Sequence, residues 1–101
     1  MNASQLDQLI LAKINSADDD TFAVFYVEGC PYCIGAFDYL QDNNLKFKAY
    51  DVNKINGGRG RLLDLFNKTP SLQFDRGHKT VPLIFVQGKF VGGLKELKQK
   101  Y

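Results

Sequence analysis

Only two cysteines and a single histidine occur in the 101 residues, and that scarcity removes several function classes at once. A secreted scaffold held by disulfides needs more cysteines, spread along the chain. A structural zinc site needs four ligands, which two thiols and His78 cannot supply without carboxylate help, so no metal is expected. Charge is equally scarce. A formal net charge of +2 gives no argument for nucleic acid, and Lys95, Lys98 and Lys100 near the end read as a solvated face. Long apolar runs are missing at the start of the chain, where only Leu9 to Ala12 is unbroken, between Asp7 and Lys13 and their neighbours. That is neither a signal peptide nor a membrane span, so a reducing, cytoplasmic compartment is the expectation.

What remains is an ordinary globular composition. Hydrophobic residues at 45% and charged residues at 24% exclude a disordered tail protein, and the length allows one domain with a real core but not two. Residues 1–20 read as an N-terminal helix and linker, and residues 21–101 as the core.

Ser4 followed by Asp7 resembles a capping box, and Leu6, Leu9, Ile10 and Ile14 then recur at helical spacing, which predicts a first helix ending near Ser16. Asp18-Asp19-Asp20 reads as a solvated connection. Thr21 to Val27 is apolar on both alternating faces, the pattern of a strand inside a sheet covered on both sides. A helix opened by Pro31 then buries Cys33, Ile34, Phe37 and Leu40 and stops near Asn43-Asn44. Lys46 to Val52 reads as a second strand, and strand, helix, strand in about thirty residues implies a right-handed parallel unit. Gly57-Gly58-Arg59-Gly60 lacks the Walker lysine and the G-x-G-x-x-G spacing, so it reads as a loop leading into a third helix. A long loop follows from Lys68 to Gly77. Leu83 to Val86 and Phe90-Val91 form a hairpin around Gln87-Gly88, and Leu94 to Lys100 forms a last short helix.

The chemistry lies in Cys30-Pro31-Tyr32-Cys33. Two thiols about one helical turn apart can close a disulfide within four residues. So short a loop removes little chain entropy, which makes the bond a reversible switch and not a staple. Cys30 falls at the first turn of the helix, where free N–H groups and the helix dipole favour thiolate, and such cysteines have pKa values of about 3.5 to 7.5. Pro31 suits the first helical position. Cys33, one turn further in, is expected to be less exposed, with a pKa closer to the ordinary thiol value. Cys30 is thus the attacking sulfur and Cys33 the resolving one.

With the first two strands parallel and the closing hairpin antiparallel, the sheet edge that carries Cys30 also receives Val81-Pro82 and Gly92-Gly93. Ligands of open α/β sheets bind at such an edge. A cis Val81-Pro82 bond would present the Val81 backbone to an extended peptide, and glycines at 92 and 93 admit close backbone approach.

With Cys30-Pro31-Tyr32-Cys33, Thr80-Val81-Pro82 and Gly92-Gly93 in this order, the chain resembles a dithiol glutaredoxin of the thioredoxin-fold superfamily, over roughly Phe22 to Leu97. The resemblance implies an α/β thioredoxin-like fold, a four-stranded mixed sheet in the order 2-1-3-4 with helices on both faces. It implies a glutathione-dependent thiol-disulfide oxidoreductase in electron transport, with glutathione as co-substrate and glutathionylated or disulfide-containing proteins as partners, ribonucleotide reductase being a frequent client of the family. Cys30 and Cys33 would be catalytic, Pro31 and Tyr32 the active-site loop, and Lys79, Thr80, Val81, Pro82, Gly92, Gly93 and Glu96 the glutathione contacts. A monomer without nucleic-acid or membrane partners is expected. The chain departs from the family pattern at Val27, where a lysine is common, and at Leu94-Lys95-Glu96, where a small polar or acidic residue and an aspartate are usual. Alternatives are an electron donor reduced by a flavoprotein and an iron–sulfur cluster carrier, which Pro31 disfavours. His78 reads as a loop residue.

Overall fold

The computed structural model describes residues 2–15 and 18–101. Its organising element is the strand Phe22–Tyr26 (β1), whose first four residues are buried. Phe47–Asp51 (β2) lies parallel to β1, with Phe22 opposite Phe47 and Tyr26 opposite Asp51. Leu83–Val86 (β3) runs antiparallel on the other side of β1 and pairs with Lys89–Gly92 (β4), giving the order β2-β1-β3-β4. The fold is the thioredoxin-like α/β arrangement expected, with four helices: Ala3–Asn15 (α1), Pro31–Asp42 (α2), Gly58–Asn67 (α3) and Leu94–Lys100 (α4). Among the described residues no helix is long and apolar enough to cross a membrane.

Side chains alternate across β1, so each face of the sheet carries its own core. Ala23 and Phe25 meet Ile10 and Ile14 of α1, Leu62, Leu65 and Phe66 of α3, and Leu83 and Phe85. Phe22 and Val24 meet Ala36 and Leu40 of α2, Leu97 of α4, and Ile84, Val86 and Val91. Phe25 sits in an aromatic cluster, its ring centroid 5.7 Å from Phe66 and 5.9 Å from Phe85. On the other face α2 and α4 approach closely because Gly35 has no side chain; a Cβ there would lie 2.8 Å from Leu94 Cδ2.

Several local details differ from expectation. α1 is capped two residues earlier than the Ser4/Asp7 pairing suggests: Gln5 N–H donates to Asn2 Oδ1 at 2.8 Å and Asn2 N–H to Gln5 Oε1 at 3.0 Å. Asp7 instead meets Arg61 at 3.0 Å and Lys68 at 3.6 Å. The expected end at Ser16 lies outside the described residues. The buried stripe of α2 is Cys33, Ala36 and Leu40, while Ile34 is 51% exposed and Phe37 only half-buried. At 100° per residue Ile34 turns away from the line through Cys33 and Leu40, so apolar character alone misplaced it. β2 is shorter than expected, because Val52 leaves the strand for a 3-10 turn whose first free N–H groups are met by Asp51, with Asn53 N–H at 2.9 Å from its carboxylate. The helix end at Asn43-Asn44 is as expected, with Asn44 in the left-handed region at φ 56°. The loop Lys68–Gly77 is not structureless. Pro70–Leu72 forms a 3-10 turn that buries Leu72, and Phe74 packs between Phe66 at 5.5 Å and Phe90 at 4.5 Å.

The stripe makes a direct prediction. Leu40→Ala lowers the unfolding free energy by about 2–5 kcal/mol, whereas Ile34→Ala changes it by less than about 0.5 kcal/mol, as read from urea unfolding curves.

Candidate active site

Cys30 is the N-cap of α2 in an extended conformation (φ −76°, ψ 117°), and Pro31 occupies the first helical turn. The chain reaches this point through Gly29, whose positive φ of 77° turns it out of β1 and toward the helix start. The Cys30 thiol is half-buried, and Cys33 behind it is 1% exposed. As a thiol, Cys30 makes no cap hydrogen bond within the helix. Its S–H instead lies 3.9 Å from the Val81 carbonyl. Both cysteines are free thiols.

The electrostatics separate the two sulfurs. Partial burial by itself would raise the Cys30 pKa, but hydrogen bonds from the Cys33 thiol and from the backbone N–H groups of Cys33 and Tyr32 outweigh it and hold Cys30 below the usual 9.0. Cys33 is pushed up to about 12, first by burial and then by the Cys30 sulfur, to which it donates and whose negative charge opposes a second ionisation; a backbone hydrogen bond at Val27 offsets only part of this. The expectation of a near-ordinary Cys33 is therefore corrected. One turn along α2 takes that sulfur out of water altogether, not merely into shade.

A groove of about 330 Å³ opens next to Val81, walled by Tyr32, Thr80, Val81, Pro82, Gly93 and Glu96 together with His78, Leu94, Lys95 and Lys98. Six of the residues singled out from sequence thus line one cleft. Cys30 is not in its wall but joins it through Val81. The Val81-Pro82 bond is cis, as anticipated. Tyr32 is 68% exposed and projects at the rim. Lys79 is exposed and lies outside the groove, and Gly92 lines a neighbouring cleft of about 300 Å³ instead.

The glycines answer to a different constraint from the one expected. At Gly92, φ is 132° and a Cβ would fall 2.6 Å from Glu96 Cβ, so the chain's own packing requires glycine there. A Cβ on Gly93 would lie 3.2 Å from the His78 ring. Glu96 accepts the Gly93 N–H at 2.8 Å, which caps the start of α4. His78, which the sequence presents as a loop residue, lines both clefts, packs edge-on to Phe90 at 5.1 Å, and has a buried Nε2 without a hydrogen-bond partner. Its position two residues before Thr80 was the available signal. Lys95 and Lys98, read as a solvated face, stand on the groove wall, while Lys100 donates to the Val91 carbonyl at 3.2 Å. Among the described residues no group of three or more His, Cys, Asp or Glu side chains is placed to hold a metal ion.

The family model described as Glutaredoxin matches residues 22–91, from the first residue of β1 into β4. The chain belongs to the glutaredoxin family. Thiol–disulfide oxidoreduction is the chemistry of that family, and the paired thiols at the start of α2 are placed for it. Among curated glutaredoxins the chain is 45% identical over 89 residues to the probable glutaredoxin of Acanthamoeba polyphaga mimivirus, covering 87% of this chain and 84% of that one. It is 30% identical over 95 residues to human mitochondrial glutaredoxin-2, covering 90% of this chain but 54% of the human protein. The chain therefore spans most of one relative and about half of the other. Among solved structures, glutaredoxin 1 from Francisella tularensis, crystallised with cacodylate, superposes with a TM-score of 0.68 at 29% identity, covering 78% of this chain and 88% of that one.

The pKa asymmetry predicts the alkylation profile. Because ionisation of Cys30 is favoured in the fold, its rate of carbamidomethylation rises with pH and reaches half its maximum below pH 9.0. Cys33 stays unmodified through that range, since its thiolate appears only toward about 12. Mass spectrometry of tryptic peptides after brief exposure to iodoacetamide measures both.

Proposed function

We propose that the chain is a glutathione-dependent thiol-disulfide oxidoreductase of the dithiol glutaredoxin class, with Cys30 as nucleophile and Cys33 as resolving thiol. The observation that carries this reading is the unequal pair itself: one half-exposed sulfur at a helix N-cap with a lowered pKa, and one buried sulfur a turn behind it that stays protonated.

With a glutathionylated protein, the Cys30 thiolate attacks the glutathione sulfur. The protein–glutathione S–S bond breaks, and the protein thiolate leaves and takes a proton. A second glutathione thiolate then attacks the glutathione held on Cys30, giving glutathione disulfide and restoring the Cys30 thiolate. With a protein disulfide, Cys30 attacks one client sulfur and the other leaves as a thiolate. Cys33 then gives up its proton and attacks the Cys30 sulfur, closing the Cys30–Cys33 bond and releasing the client dithiol. Two glutathiones reopen that bond and leave as glutathione disulfide. The high pKa of Cys33 suits it to the second role, because a protonated thiol does not compete for the mixed disulfide until a client thiolate can accept its proton.

Glutathione would lie along the groove, its backbone against that of Val81 in the manner of an added strand. Thr80, Pro82 and Gly93 would flank it, with Lys79 near its glycine carboxylate and the Gly92–Glu96 segment near its γ-glutamyl end. We take residues 21–101 as the catalytic core, with α1 joined to it through Ile10 and Ile14.

Paired variants test the roles. Cys30→Ser reduces turnover of a small glutathione mixed disulfide, coupled to glutathione and glutathione reductase, to background. Cys33→Ser keeps roughly half or more of it but loses reduction of protein disulfides, because only the second route uses the buried thiol. Equal losses in both variants would contradict the assignment, and turnover supported by thioredoxin reductase in place of glutathione would favour a flavoprotein-reduced donor.

A further inference from the structure

The groove is charged on one side. Lys95 and Lys98 stand three residues apart on the face of α4 that forms its wall, and Lys79 is exposed directly before the groove residue Thr80. Among the described residues none of the three forms an ion pair. The one carboxylate in the groove wall, Glu96, already accepts the Gly93 N–H at 2.8 Å. Lys100, on the same helix, is turned to the Val91 carbonyl and takes no part. The groove wall thus carries ammonium groups without an ion-pair partner among the described residues at Lys95 and Lys98, and an exposed one stands beside it at Lys79. This local arrangement is far more pronounced than a net charge of +2 suggests.

We propose that Lys79, Lys95 and Lys98 form a docking rim for an acidic, extended segment of a disulfide-containing client protein, so that clients carrying Asp or Glu beside the reacting cysteine are reduced preferentially. The proposal rests on the oxidoreductase reading above and adds the class of protein it serves. Charge complementarity selects the occupant: Lys95 and Lys98 share a groove wall with Val81, against whose backbone a peptide bonded to Cys30 would pair, and Lys79 is exposed directly before Thr80 of that wall. The lysines are exposed, and Lys95 and Lys98 run along a helical turn at the groove's side. That geometry serves a chain continuing past the groove better than it encloses the carboxylates of a small tripeptide. Unpaired charges at a cleft act chiefly on association and are screened by salt.

Two cyclic disulfide peptides of equal length test this, one with Asp and one with Lys flanking both cysteines, each reduced by the whole chain with glutathione and glutathione reductase. In each turnover two glutathione thiols supply the two electrons that open the peptide disulfide, and they leave as glutathione disulfide. At low ionic strength kcat/KM is about tenfold higher for the Asp peptide, and the ratio falls to within about twofold in 0.5 M salt. The double variant Lys95→Glu/Lys98→Glu reverses the preference, and Lys95→Gln/Lys98→Gln abolishes it without reversal. A ratio near one in the wild type overturns the docking rim while leaving the oxidoreductase reading intact. So does a preference that survives charge reversal, or a charge reversal that moves only the KM for glutathione, which would assign the lysines to that tripeptide. Failure to reduce either peptide or a glutathione mixed disulfide overturns both readings together.

Discussion

A strand that is apolar on both faces has no stable place except the middle of a sheet with helices on either side, and the burial of Phe22 to Phe25 is the constraint on which the rest of this molecule depends. With β1 central, the parallel crossover to β2 puts the start of α2 at the strand's carboxyl end. The antiparallel partner β3 has to begin at that same end. Cys30 and Val81 are fifty-one residues apart in the chain and 3.9 Å apart in space for this reason. The site is a consequence of strand order before it is a consequence of any side chain.

Given that placement, the chemistry follows from how two thiols share one helix turn. Cys30 stands where backbone N–H groups are unpaired, and Cys33 lies where water does not reach. Each raises the contrast of the other, since the Cys33 thiol donates to the Cys30 sulfur and a charged Cys30 discourages ionisation of Cys33. A pair of equally exposed thiols would ionise in similar ranges and offer no order of attack. In the proposed mechanism, depth along α2 supplies the order of attack, and the packing of Ala36 and Leu40 against β1 fixes that depth.

The groove shows residues serving two demands at once. Gly92 and Gly93 leave room for Glu96 and His78, and Glu96 in turn caps α4, so the wall of the cleft is held by the same contacts that start the last helix. The loop after α3, long for a connection, closes the core with Leu72 and Phe74 and carries the chain into His78. Its length is explained by covering the edge of the aromatic cluster at Phe66 and Phe90.

Much of this was legible in the residues in order. Alternation and spacing identified β1, α2 and the hairpin around Gln87-Gly88, because each follows from local periodicity or turn chemistry, whereas the strand order came from the family resemblance. The thiol motif, Val81-Pro82 and the glycine pair were legible as a set, since few arrangements other than one sheet edge bring them together. Ile34 facing water, the capping of α1 by Asn2 and Gln5, the raised pKa of Cys33 and the position of Lys95, Lys98 and His78 were not. These depend on which side of a helix meets a neighbour from elsewhere in the chain, and a one-dimensional pattern fixes a helix's period but not its rotation against a partner. The order of residues by itself determined the elements and the presence of a reactive pair. Only tertiary packing decided how strongly burial raises the inner thiol's pKa, which charges reach the groove, and which glycines serve the fold, because electrostatic environment is set by distant contacts.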